Sequence, residues 1–184
     1  LEFGVSSVVL AVGATAGAIL GQGVVVRVGF RTVAAAGLAL IAAGSLVLAQ
    51  LSVHASYFPD IFFGLLLFGP GIGLAFVTAT VAALAGVAEH ESGLASGLSN
   101  TAFQMGAAIG TAVVATVAVS HADDYLAANP KAGHLIALTE GFQSAFLATA
   151  ILAGLGAALA LLRLGRPRGA AQRQLDPSPA PIAD

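Results

Sequence analysis

The chain has 184 residues, of which 58% are hydrophobic and only 9% are charged, and its mean hydropathy is +0.94. A soluble domain usually has about a quarter charged residues, so this composition indicates an exterior that faces lipid. A soluble helical bundle would need amphipathic helices with charged outer faces, and the apolar segments have none. The chain has no cysteines, which excludes disulfides and cysteine-based metal or redox sites.

Five apolar segments are long enough to cross a membrane, which takes about 20 residues. The predicted spans within a transmembrane region 1–164 are residues 5–26, 32–51, 61–87, 93–120 and 142–164. A polar link, 52–60, precedes the third span, and a polar loop of residues 121–141 follows the fourth. Residues 165–184 are rich in proline and poor in large apolar side chains, which predicts a disordered tail. The fold class is therefore an all-α membrane protein.

The basic residues predict the orientation of the spans. Arg27 and Arg31 lie between the first two spans, and the remaining four arginines, Arg163, Arg166, Arg168 and Arg173, lie at and beyond the end of the last span. Only Lys131 falls on the opposite side. Because basic loops stay in the cytoplasm, we expect the N-terminus outside, the C-terminus in the cytoplasm, and a multi-pass location in the plasma membrane.

The chain opens on Leu1, which is not an initiator methionine, and runs almost directly into an apolar span. It has neither the basic region nor the small-residue cleavage site of a signal peptide. The expectation is the C-terminal part of a longer polytopic protein, and the alternative is a five-span protein complete in itself.

Glycines predict how the helices pack, since small residues allow close backbone contact in lipid. Gly13, Gly17 and Gly21 repeat at four-residue spacing in the first span, and the pairs Gly93/Gly97 and Gly106/Gly110 do so in the fourth.

The third span holds the run Gly69, Pro70, Gly71, Ile72 and Gly73. Proline inside a helix removes a backbone hydrogen bond and predicts a kink. A purely structural kink and a functional hinge both remain open.

No span interior contains an ionisable residue, so the chain offers no proton relay of its own. The fourth span has a polar stripe instead, because Ser96, Asn100 and Gln104 are four residues apart and share a helical face. An amide in hydrocarbon needs a partner or water. The stripe is therefore either an interhelical clamp or the lining of a pathway.

Three motifs resemble the drug:proton antiporters of the major facilitator superfamily that have fourteen helices. They are the glycine-rich stretch 69–80, the stretch 89–106 with its run Asn100-Thr101-x-x-Gln104-x-Gly106, and the entry to the last span at 141–146. The chain resembles the C-terminal five helices of that branch. Arg27, Gly29 and Arg31 are similar to the family's cytoplasmic loop motif, although Val26 stands where an acidic residue is usual.

The resemblance implies efflux of drugs or small hydrophobic metabolites in exchange for protons, by alternating access. It places the first, third and fourth spans around the central cavity, with Phe76, Thr78, Thr80, Asn100 and Gln104 as the cavity-facing candidates. The expected partners are the bilayer, the missing N-terminal helices, which would supply the proton-coupling carboxylates, a small-molecule substrate and protons. No cofactor and no nucleic acid are expected.

Two other classes of function are alternatives to a transporter. A non-transporting membrane anchor or assembly factor with five spans is the main alternative. A membrane enzyme would need a cluster of histidines or carboxylates near an interface, and Glu89-His90-Glu91 is the only one. His90 between two acids could bind a metal, but a solvated loop is the preferred interpretation, so no catalytic and no metal residue is predicted.

Overall fold

A computed structural model describes residues 2–51 and 61–163, so the link 52–60 and the tail after Arg163 lie outside the described residues. The described residues form five α-helices and no strand: α1 (Glu2–Val28), α2 (Phe30–Leu48), α3 (Phe62–Leu84), α4 (Ser92–Ala128) and α5 (His134–Arg163). A short 3₁₀ turn, Glu89–Glu91, precedes α4. All five helices are long and apolar enough to cross a membrane. Helices suit this environment because lipid offers no hydrogen-bond partners, so the backbone groups must bond to each other.

The hairpin of α4 and α5 differs from the prediction. Residues 121–141 were expected to form a loop, but α4 continues to Ala128 and α5 begins at His134. Hydropathy falls at Asp123 and Asp124, yet these side chains do not interrupt backbone hydrogen bonding. The helix ends at Ala128, and its C-cap residue, Asn129, immediately precedes a proline, whose ring disfavours helical geometry in the preceding residue. The other helix ends lie within three residues of the predicted spans.

The turn between α1 and α2 consists of a single non-helical residue, Gly29. Its φ of 86° lies in a backbone region that residues with a Cβ rarely adopt. Arg27 therefore lies in the last turn of α1 and Arg31 in the first turn of α2. The glycine brings the two arginines to the same end of the helix pair.

Helix α3 is the centre of the packing. It lies against α1 on one side and α2 on the other, while α2 also packs on α5 and α5 on α4. Contact between α3 and α4 is slight. The amide of Gln143 in α5 donates a hydrogen bond to the carbonyl of Leu51, just after α2. The helices therefore follow the spatial order α1, α3, α2, α5 and α4.

Glycine backbones form the crossing of α1 and α3. A Cβ added to Gly17 would lie 2.7 Å from the Cα of Pro70, and one added to Gly13 would lie 3.1 Å from the Pro70 Cδ. From the other side, a Cβ on Gly73 would lie 2.5 Å from the backbone nitrogen of Ala18. The predicted glycine face of the first span is confirmed, and its partner is the glycine-proline run of the third.

The crossing of α2 and α3 is built in the same way. A Cβ on Gly37 would lie 2.9 Å from the Ala75 nitrogen, and one on Gly44 would lie 2.8 Å from the Phe68 nitrogen. A Cβ on Gly71 would lie 2.8 Å from the Gly37 carbonyl oxygen. Helix α3 is thus held by backbone contact on two faces, and it passes through Pro70 as a continuous helix.

The glycine pairs of α4 do not pack as predicted. A Cβ on any of its four glycines, Gly93, Gly97, Gly106 or Gly110, would meet no atom of the described residues within 4 Å. Helix α4 instead contacts α5 near its other end, where a Cβ on Gly141 would lie 3.1 Å from the Ala122 Cβ. Spacing alone marks a face that can pack closely, but it does not identify the partner.

The crossing of α1 and α3 generates a test with a matched control. In Gly17→Ala the new methyl group overlaps Pro70, so the helices must separate, and we expect a loss of about 1–3 kcal/mol of stability. In Gly23→Ala the methyl group meets nothing within 4 Å, and alanine is favoured over glycine in a helix by about 1 kcal/mol. Thermal unfolding in detergent should show a lower Tm only for Gly17→Ala. Equal Tm values for both variants would contradict the described crossing.

Candidate functional site

A groove of about 390 Å³ lies between α3 and the first half of α4. Phe76 and Thr80 line it from α3, and Ser96, Asn100 and Phe103 line it from α4. The Thr80 hydroxyl donates to the Phe76 carbonyl at 2.9 Å, whereas the Asn100 amide has no hydrogen-bond partner among the described residues. We call this space the polar groove.

One aromatic contact joins α3 and α4 at this groove. The rings of Phe76 and Phe103 meet edge to face, with centroids 5.3 Å apart and an interplanar angle of 84°. This is a favourable arrangement for two aromatic rings. The side chains remain 49% and 50% exposed, so each ring has a free surface that another molecule could contact.

Two apolar grooves continue from the same place between α2, α3, α4 and α5. The first, about 770 Å³, shares Phe76, Ala79 and Phe103 with the polar groove. The second, about 800 Å³, shares Leu38 and Ile72 with the first. None of the residues that line the three grooves is ionisable.

The structure brings together three of the five predicted cavity residues. Phe76, Thr80 and Asn100 line the polar groove. Thr78 borders the first apolar groove, but it is only 2% exposed, and its hydroxyl donates to the Leu74 carbonyl at 2.6 Å. Gln104 is exposed on α4 and lines none of the three grooves.

The polar stripe of α4 has no helical partner in the described part of the chain. Neither the Asn100 nor the Gln104 side chain forms a hydrogen bond with another described residue. No residue between Glu89 and Ser120 is buried, and Ala122 is the buried residue of α4. The interpretation of the stripe as an interhelical clamp therefore finds no partner within residues 2–51 and 61–163.

Phe103 and Ser99 also line the polar groove, but they are not among the five predicted cavity residues. A signal for Phe103 exists, because it lies three residues after Asn100 and so near the same helical face. Its apolar ring gave no reason to group it with the polar stripe. Phe103 is recognised as a residue of the polar groove only from its contact with Phe76 on α3.

The cluster Glu89–Glu91 forms the 3₁₀ turn between α3 and α4, and none of its three residues lines a groove. All three residues are exposed, and the His90 Nε2 and Glu91 Oε1 atoms are 3.9 Å apart. Within the described residues there is no group of three or more histidines and carboxylates that could hold a metal ion. The geometry is that of a solvated connection between two helices.

Five apolar helices without strands in the described residues, with grooves but no ionisable lining, define a polytopic membrane protein. All 184 residues match the family model described as the Major Facilitator Superfamily. The chain belongs to this family of secondary transporters, whose members are not enzymes. No match was found among curated proteins.

The accessibility of the polar groove to water can be measured by thiol labelling, because the chain itself has no cysteines. We expect a hydrophilic maleimide to label Asn100→Cys at least ten-fold faster than Thr78→Cys, which is buried. Val12→Cys is the second control, because Val12 is 64% exposed on an apolar face of α1 that would contact lipid. If Asn100→Cys reacts as slowly as Val12→Cys, the stripe faces lipid and the groove is not a water-filled pathway.

Proposed function

We propose that the chain is part of a proton-coupled exporter of drugs or small hydrophobic metabolites that works by alternating access. The observation that carries this proposal is the polar groove and its continuation into two apolar grooves without any ionisable lining residue. Such a surface suits an apolar molecule with few hydrogen-bonding groups, because pockets for such ligands are mostly apolar with a few placed polar groups.

Proton coupling requires groups that the five helices do not contribute. A carboxylate in the membrane is the usual proton carrier of a transporter, and neither the grooves nor the span interiors have one. We therefore assign proton coupling to further helices of the same transporter. Gly93, Gly97 and the Gln104 amide support this assignment, because they contact no other described helix and line none of the three grooves, and so leave a face on which other helices can pack.

A transport assay on the whole gene product tests the function. Inverted membrane vesicles containing the transporter should accumulate a fluorescent lipophilic compound when a proton gradient is imposed. A protonophore should abolish the accumulation. Phe103→Ala should lower the rate roughly five-fold or more, because it removes an aromatic surface worth about 1 kcal/mol.

The control variant is Phe63→Ala. Phe63 also lies on α3 with an edge-to-face partner, Phe62, at 5.8 Å, and it lines none of the three grooves. Its transport rate should stay within two-fold of the unmodified protein. Accumulation that ignores the proton gradient and the protonophore would contradict the proposed coupling. If no compound is moved, a non-transporting membrane protein becomes the better assignment.

The proposed orientation has the α4–α5 connection outside and the Arg27–Arg31 turn in the cytoplasm. The distribution of arginines and Lys131 supports it, as does a location in the plasma membrane, where an exporter would act. In intact cells, an impermeant thiol reagent should label Lys131→Cys and leave Glu89→Cys unlabelled until the cells are opened. The reverse pattern would invert the topology.

A further inference from the structure

The aromatic pair Phe76–Phe103 lies where two chemically different spaces meet. On one side the polar groove contains Thr80, Ser96 and Asn100. On the other, the first apolar groove is lined by side chains such as Leu38 and Ile72. Both rings line both spaces. A molecule that occupies the polar groove and extends into the apolar one must therefore pass along the two rings.

The rings form a direct side-chain contact between two helices that touch only slightly. Each ring is about half exposed, so neither is held in a tightly packed core. An edge-to-face pair can exchange one ring for a third aromatic ring in the same geometry at little cost, because the favourable interaction is replaced by a similar one. Aliphatic molecules offer no such replacement.

The Asn100 amide is the polar group that such a ligand would meet. It lines the polar groove and has no hydrogen-bond partner among the described residues. An amide presents both donors and an acceptor, so it matches a ligand group of the same kind. Since none of the described residues that line either groove is ionisable, a charged group on the ligand would find no counter-ion among them.

We propose that Phe76 and Phe103 form an aromatic subsite that selects uncharged molecules with a planar ring next to one amide-like hydrogen-bonding group. The ring lies against the two phenylalanines, and the polar group binds Asn100. This inference rests on the proposed function, because it names the substrate class of the same site.

Two compounds with one skeleton test the selection. Benzanilide has two aromatic rings joined by an amide, and N-cyclohexylcyclohexanecarboxamide is its saturated counterpart with the same amide. Isothermal titration of the purified whole transporter should give a Kd for benzanilide roughly five-fold lower than for the saturated compound. Equal affinities would overturn the proposal.

Variants then assign the preference to its residues. Phe103→Leu keeps an apolar side chain but removes the ring, so the Kd for benzanilide should rise roughly five-fold and that for the saturated compound should stay unchanged. Asn100→Leu should raise the Kd of both compounds by a similar factor, about ten-fold, because both carry the amide. Phe63→Leu, the control, should change neither value. A loss of equal size for both compounds in Phe103→Leu would show that the ring only fills space, which overturns the aromatic subsite.

The outcomes separate this inference from the proposed function. Selective binding of benzanilide without proton-driven accumulation in vesicles would support the subsite and contradict export. Proton-driven accumulation of lipophilic compounds without selectivity between the two amides would support export and contradict the subsite.

Discussion

Close contact between helix backbones at glycine is the constraint on which the rest of this structure depends. In lipid no hydrophobic force brings helices together, because the tails are as apolar as leucine, so packing relies on short-range contact. Helix α3 meets this requirement on two sides, with Gly17 and Gly73 at the α1 crossing and Gly37 and Gly71 at the α2 crossing. These three helices form one closely packed unit.

Helix α4 is attached in a different way. It joins the unit through α5, where Gly141 lies against Ala118 and Ala122, and its slight contact with α3 includes the ring pair Phe76–Phe103. The weak contact leaves open the space that forms the three grooves. The proposed substrate site therefore lies between this closely packed unit and α4, where a relative movement of α4 would change the size of the site without breaking the glycine crossings.

The sequence was sufficient to predict the five apolar helices and the glycine face of α1. These features follow from composition and from the helical period, both of which are local. The connection between α4 and α5 is shorter than the loop expected at residues 121–141. Hydropathy indicates which residues lie within the membrane, but residues such as Asp123 and Asp124 can continue a helix after it leaves the membrane.

The part of the site that sequence could not supply is the pairing between helices. Asn100 was recognisable as a polar residue in an apolar helix, whereas Phe103 looked like any other lipid-facing side chain. Its contact with Phe76 depends on how α3 and α4 are placed, which the local sequence does not specify. In the same way, the spacing of Gly106 and Gly110 could not reveal that no helix of the described chain packs on them.

The most direct test of this account measures distances between spin labels in the whole transporter, with and without a transported compound. One pair would join α1 to α3, at Val26→Cys and Val81→Cys, and the other would join α3 to α4, at Val81→Cys and Leu98→Cys; all three side chains are exposed. The account predicts a narrow α1–α3 distance distribution that does not respond to the compound, and an α3–α4 distribution that shifts or narrows. A shift between α1 and α3 with a constant distance between α3 and α4 would contradict it.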